Sequence, residues 1–337
     1  MFLQTGFYAL NKTNCHTMNV VITGSSGYLG SILVKLLVSR KIHVTGIDIR
    51  SNNSGFDPEY FTFYKCCITD RENLEEIFLK EQPTHVVHFA CSFNKIRDRK
   101  LEYAIDVGGS NNILDISNRT ISVMQLIYSS SAAAYGGCSD NADWISESHP
   151  LRPGNYTYGI NKKLIERSYL SSPVRENLHI LVLRICSVTG PSFPKERVVL
   201  RLLTRFPALP GFCRLNKIQL LHEEDFLSLM ELIILDENIE GIFNIAPETY
   251  SFISDIVPDK KYISVSVGFI KSVLWILWQL HILNLQPASI SNSFFPIILD
   301  PSKVTTRYGY RFKYSTAEAF SETINKSTDS LPHSREW

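Results

Sequence analysis

Residues 18–30, MNVVITGSSGYLG, run from an apolar strand straight into three glycines, Gly24, Gly27 and Gly30, and on into a helical pattern from Ser31 to Ser39. Each glycine answers a separate steric demand. Gly24 permits a tight strand-to-helix turn, Gly27 lets the backbone approach a pyrophosphate, and Gly30 lets the helix pack closely on the strand, while the helix N-terminus faces the phosphates. The spacing predicts a dinucleotide site. A second apolar run, Ile42 to Ile47, ends in Asp48, about 20 residues beyond the glycines, where a carboxylate accepts hydrogen bonds from the adenosine ribose hydroxyls. NAD is therefore favoured over NADP, against which stands only Arg50, a residue type that meets a 2'-phosphate at that strand end.

The chain's 337 residues suffice for one large α/β domain with a smaller lobe and a substantial core. Lys plus Arg (34) nearly balance Asp plus Glu (33), and no extended basic run points to a nucleic-acid partner. The seven cysteines are odd in number, scattered and without a metal-ligand spacing, which fits a reducing cytoplasm and no metal. His85, His88 and His222 read as structural histidines, since they form no ligand set with Cys or carboxylate partners. Residues 1–17 read as an extension outside the core, with Met18, just before the first strand, as a candidate start.

Strand-like runs alternate with helix-like ones through the first half: Val20–Thr23, Val44–Asp48, Val86–Ala90, Met124–Ser129 and Ile180–Arg184, with helical patterns at Arg71–Lys80, Ala104–Ser117 and Tyr158–Ser171. Parallel strands need such crossovers, so a Rossmann-type doubly wound parallel sheet follows. Residues 18–190 form the expected nucleotide domain. After Pro191 the patterning turns irregular, and residues 191–328 are expected to be mostly a smaller C-terminal substrate lobe, with a stretch at about 218–246 returning to the sheet. Residues 329–337 read as a polar tail. The apolar stretch Tyr262–Leu285 holds one formal charge, Lys271. Lys271, Ser272 and Gln279 fall within about 100° on a helical wheel, so a buried lobe helix is expected ahead of a segment that touches or spans a membrane.

Tyr158 and Lys162 stand in a YxxxK spacing at the start of a helical pattern, one turn apart on one face. Ser131 lies 27 residues before Tyr158, where the strand Gln125–Tyr128 has run into Ser129, Ser130 and Ser131. Strand ends face the cofactor crevice. The trio suits hydride transfer. Lys162 and the cofactor charge would bring the Tyr158 phenol, near 10 when free, into a useful range; Tyr158 would take the proton of a substrate hydroxyl; Ser131 would orient the developing carbonyl.

These residues give the chain a resemblance to the extended short-chain dehydrogenase/reductases of the NAD-dependent epimerase/dehydratase family, in its UDP-glucose 4-epimerase-like branch. TGSSGYLG is similar to TGxxGxxG, HFAC from His88 to HxAA, DVGGSNNIL from Asp106 to NVxGTxNLL, and LRICSVTGP from Leu183 to LRxxNVYGP. HEEDF from His222 resembles VHVDDV, GIFNIA from Gly241 resembles GxYNV, and DPSKVTTRYGYRF from Asp300 resembles DxSKxxxxLGWxP. The resemblance implies Ser131, Tyr158 and Lys162 as catalytic. It implies Gly24, Ser26, Gly27, Tyr28, Leu29, Gly30, Asp48, Ile68, Ala90, Tyr158 and Lys162 as cofactor contacts, and a homodimer paired through two helices, one of them carrying YxxxK.

Departures narrow the activity. Family dehydratases carry an acidic pair where this chain has Ser131 and Ala132, and family nucleotide-sugar epimerases carry an Asn and an Arg where it has Ser187 and Ile218. Lys217 and Arg214 lie close to that arginine position, but an ammonium does not reproduce a bidentate guanidinium contact. Asp106 stands in place of the usual Asn, and Cys67 where an Asp often meets the adenine. Three readings stay open: an epimerase or oxidoreductase acting on a secondary alcohol of a sugar or nucleotide sugar, a reductase or dehydrogenase of a more apolar non-nucleotide carbonyl, and a dinucleotide-binding sensor without turnover.

Overall fold

The computed structural model describes residues 18–51, 55–93, 96–194, 203, 207–280, 282 and 295–328. The expected extension at 1–17 and the tail at 329–337 lie outside them.

Seven parallel strands form the central sheet: β1 (Asn19–Thr23), β2 (His43–Asp48), β3 (Phe61–Lys65), β4 (His85–His88), β5 (Gln125–Ser131), β6 (His179–Ile185) and β11 (Gly241–Ile245), in the order β11-β6-β5-β4-β1-β2-β3. The inner strands are apolar on both faces because helices cover both. On one face α1 (Tyr28–Ser39) contributes Ile32, Leu33 and Leu37, and α6 (Glu223–Leu235) contributes Phe226, Leu229 and Ile233. On the other, α2 (Arg71–Glu81), α4 (Gly109–Arg119) and α5 (Thr157–Ser171) bring Leu74, Phe78, Ile113, Ile165 and Tyr169 together. Strand order reverses between β1 and β4, and a crevice opens at the carboxyl ends of such a pair. Edge strand β3 has no counterpart in the sequence reading; FTFYK is short, and only partly covered.

A short helix, α3 (Arg99–Tyr103), runs through a π-helical turn at Ala104–Gly108 into α4. The remaining strands are short pairs outside the central sheet: β7 (Ser187–Thr189) with β10 (Leu220–His222), β9 (Lys217–Ile218) with β12 (Ser251–Phe252), and β8 (Ala208–Pro210) with β13 (Lys261–Ile263). Leu209, Leu220, Val257 and Phe320 belong to a separate small core, against which Ile253 and Ile256 of α7 (Ile253–Ile256) pack.

The apolar stretch at 262–285 departs from expectation. It forms helix α8 (Val267–Gln279), which is not buried: Phe269, Trp275 and Leu280 are 63%, 56% and 62% exposed. Among the described residues, one face of it meets the protein. His281 and residues 283–285 lie outside the described residues.

Under the sheet's β5–β6 side lies a buried ion pair. Arg184 of β6 grips Glu166 of α5 through Nε and Nη2 at 3.0 and 2.7 Å. Ser130 donates to the same carboxylate, and Arg184 Nη1 donates to the Tyr135 phenol oxygen and the Glu147 carbonyl, both at 2.8 Å. The Tyr135 hydroxyl in turn donates to Asn244 Oδ1 of β11 at 2.8 Å. Cutting one partner of such a pair strands a buried charge. Arg184→Met is therefore expected to cost about 3–5 kcal/mol, read as a lowered urea midpoint, and Arg184→Met with Glu166→Met should recover a large part of that loss.

Candidate active site

At the C-terminal ends of β1, β2 and β4 the backbone forms a tight cradle. Gly24 has φ +73°, and a Cβ there would stand 2.8 Å from the Ala90 nitrogen. A Cβ on Gly30 would stand 2.2 Å from the Gly24 carbonyl oxygen, so helix α1 reaches the loop only without a side chain. The helix begins at Gly27 with no side-chain cap and no acidic residue in its first turn, which leaves the Tyr28, Leu29 and Gly30 end of its dipole suited to an anion.

Asp48 is buried at the end of β2. Its Oδ2 accepts from the Ser26 amide at 3.1 Å and its Oδ1 from the Arg50 amide at 3.0 Å. The Arg50 guanidinium lies 3.7 Å from the same carboxylate on an exposed stem. Ile68 is pressed against α4, where a Cβ on Gly109 would meet its side chain at 2.5 Å, and its carbonyl accepts from Asn112 at 3.1 Å. The cradle, the carboxylate and this apolar wall fit the pyrophosphate, ribose and adenine of a dinucleotide.

The other end of the crevice is made by β5 and α5. Strand β5 delivers Ser131, whose Oγ accepts from the Ala133 amide at 3.2 Å and lies in hydrogen-bonding reach of the Tyr158 phenol. The first turn of α5 carries Tyr158, and one turn on Lys162 donates to the Ser129 carbonyl at 2.6 Å. Its Nζ sits 4.8 Å above the Tyr128 ring and 5.5 Å from the Tyr158 ring centroid. The three residues expected to work together thus stand together.

Without added charge, the Tyr158 phenol stands well above its ordinary range: burial raises it first, the neighbouring Cys91 and Tyr156 raise it further, Ser131 draws it down and Asp106 raises it. The Phe93 ring meets the Tyr158 ring edge-on, with centroids 5.1 Å apart. His88, bonded to Thr23 at 2.6 Å and Ser110 at 2.8 Å, is pushed down to about 3 by burial and then by Lys162, so it is neutral.

Two acids near the site carry roles that sequence reasoning did not assign. Asp106, in the π-turn, accepts from the Ser92 amide at 2.7 Å, the Ser92 hydroxyl at 3.0 Å and Asn161 at 3.2 Å, tying the loop before Phe93 to the residue next to Lys162. Its presence in place of the family's Asn was the available signal. Glu223, where the family motif has Val, accepts from the Tyr28 phenol at 2.8 Å and from the Ser192 amide and hydroxyl at 3.1 and 3.0 Å. It thereby bolts the fingerprint helix to the loop after β7, with Gly190 so close that a Cβ would meet the Glu223 side chain at 2.6 Å. Glu102, one turn before Asp106, is buried with neither oxygen bonded, and burial followed by Asp106 raises it to about 7.

Lys217 is held by Asp143 at 2.9 Å and lies 4.8 Å over Tyr250. Arg214 lies 5.9 Å over Tyr262, and both line a cavity of about 460 Å³ with Phe212, Ser264 and Val265. Ile218 is in β9, and Ser187 starts β7 exposed.

A statistical model of the NAD dependent epimerase/dehydratase family matches residues 20–246. Protein CapI of Staphylococcus aureus is 30% identical over 194 residues, 52% of this chain and 55% of that protein. A UDP-glucose 4-epimerase of Lacticaseibacillus casei is 29% identical over 178 residues, 51% of this chain and 52% of the relative. The chain thus spans about half the length of these curated relatives. Among solved structures, the Thermotoga maritima UDP-glucose 4-epimerase with UDP-glucose superposes with a TM-score of 0.72 at 23% identity, over 93% of this chain and 100% of the other. The Bordetella bronchiseptica enzyme WbmG with NAD and UDP gives 0.71 at 22% identity, over 93% and 95%.

Two pH dependences follow. A difference spectrum between the protein and Tyr158→Phe, followed at the tyrosinate band, is expected to show no ionisation of Tyr158 up to about pH 10; an earlier step would show that Lys162 outweighs burial. His88 has a folded pKa below its unfolded one, so its contribution is present above the unfolded value and lost as pH falls towards the folded one. Below about pH 6.5 the unfolded chain binds a proton that the native state refuses, and stability should drop by roughly 1 kcal/mol per pH unit. In His88→Asn the urea midpoint should fall less steeply with acid.

Proposed function

The chain belongs to the NAD dependent epimerase/dehydratase family, and on that premise we propose that it is an NAD-dependent epimerase or oxidoreductase acting on a secondary alcohol of a sugar or nucleotide sugar. The observation that carries this reading is the convergence of Ser131, Tyr158 and Lys162 at the crevice end of β5 and α5. Gly24, Ser26, Gly27, Tyr28, Leu29, Gly30, Asp48, Ile68 and Ala90 would hold the dinucleotide, which when bound supplies a hydride acceptor and donor. Tyr158 takes the proton of the substrate hydroxyl and returns it, as acid and base in turn. Ser131 holds the substrate oxygen beside the phenol. Lys162 supplies the positive charge that a phenolate in a buried site requires.

The loop after β5 is Ala132–Ala134, a short 3₁₀ turn without a carboxyl group, which speaks for epimerisation or simple oxidation over loss of water. The nucleotide-sugar relatives support a sugar substrate. A second reading, reduction of a more apolar carbonyl, draws on Ile218 at the expected arginine position and on the prior engagement of Lys217 by Asp143. None of the six described cysteines is in a disulfide, in keeping with a cytoplasmic protein. Leu101 and Leu164, exposed on α3 and α5, support pairing of two copies through these helices.

The test is extraction of bound cofactor followed by incubation with UDP-, GDP- and dTDP-sugars, monitoring sugar products and the reduced-nicotinamide band. Interconversion without net reduction identifies an epimerase, and net reduction an oxidoreductase. No turnover of any nucleotide sugar, with turnover of an apolar ketone, would overturn the sugar reading. In the productive assay Tyr158→Phe is expected to lower kcat by about 10²–10⁴.

A further inference from the structure

Helix α8 turns a broad apolar face outward. Phe269, Trp275, Ile276 and Leu280 are 63%, 56%, 48% and 62% exposed, and Ile282 just beyond is 63% exposed. The opposite face rests on the protein through Trp278, whose ring lies 4.3 Å under the Arg97 guanidinium and whose carbonyl accepts from Arg97. Arg97 lies four residues beyond Phe93, the residue that covers Tyr158, so the helix is attached to the segment beside the active site.

Charge on this stretch has one sign. Residues 260–299 contain three lysines, Lys260, Lys261 and Lys271, and no Asp or Glu. Lys261 and Lys271 are exposed, and Lys271 borders the apolar arc, on which Ser272 and Gln279 are interspersed. We propose that α8 docks this protein in the plane of an anionic lipid surface, with Phe269, Trp275, Ile276 and Leu280 sunk to the headgroup boundary and the lysines on the lipid charges. Aromatic and aliphatic side chains on one face with lysine at its rim are what an interfacial helix presents. Its 13 residues span about 20 Å, short of the roughly 30 Å of a hydrocarbon core, and no helix among the described residues is long and apolar enough to cross a membrane. A second copy on the same face would set lysine against lysine, since residues 260–299 carry no Asp or Glu.

The test is co-sedimentation of the full chain with phosphatidylcholine vesicles, with and without phosphatidylglycerol, alongside tryptophan emission. Binding that requires phosphatidylglycerol, with a blue shift from Trp275, is expected. Replacing Phe269, Trp275 and Ile276 together by Ser should weaken it about ten-fold or more while the thermal unfolding curve is kept, since all three side chains are exposed. Lys261→Glu with Lys271→Glu should cost about ten-fold on the anionic vesicles. No binding by the unaltered protein, or equal binding by the triple variant, overturns the proposal. So does a larger assembly in gel filtration that the triple variant breaks, which would mean that another copy covers the face.

Discussion

The buried pairing of Arg184 with Glu166 is the constraint on which the catalytic end of this fold depends. Glu166 sits one turn beyond Lys162 on α5, and Arg184 on β6, so the pair sets both the height and the rotation of the helix against the sheet. A carboxylate and a guanidinium removed from water tolerate only a geometry in which every lone pair and N–H is used. Here Ser130, next to Ser131 in the chain, and Tyr135, just after the Ala132–Ala134 turn, complete them. The ion pair therefore braces the end of β5 that carries Ser131 against α5, the helix that carries Tyr158 and Lys162. Asn244 extends the same network into β11 and to the Ile145 and Asp300 carbonyls, tying in the bridge between these two segments.

Around Tyr158 the site resists charge. The titratable groups there that depart from their ordinary values, Tyr128, Tyr158, Tyr169, His88 and Glu102, all move towards the neutral form, and burial is the first cause in each. In such surroundings one added positive charge acts at low effective dielectric and shifts a phenol far more than it would in water. The protein alone thus holds the proton on Tyr158, and a site of this kind becomes basic only when it is filled.

Much of this was legible in the residues, and what was not has identifiable physical causes. The strand-to-helix glycines and Asp48 could be read because each answers a local backbone or hydrogen-bonding demand within one β-α-β unit. Tyr158 and Lys162 could be paired because helical spacing alone brings them to one face. Strand β3 escaped because FTFYK has few residues and lies at a sheet edge, where alternation is weak. The exposure of α8 escaped because an apolar helix has the same composition whether protein or something else covers it. The raised Tyr158 pKa depended on burial and on Cys91 and Tyr156, which only the folded chain brings together around it. The bonds of Glu223 reach Tyr28, 195 residues away in sequence, and no local pattern encodes such a separation.

That last contact also carries an evolutionary consequence. Gly190 and Glu223 occupy one another's space, with the carboxylate locked by Tyr28 and Ser192 from the other side. Position 190 cannot drift first: a side chain there demands a smaller or differently directed residue at 223, whereas a shorter residue at 223 frees 190 to grow. Among descendants of this chain the two sites should change as a correlated pair, so that a glycine that looks like an ordinary turn residue is inherited together with an acid on a distant helix.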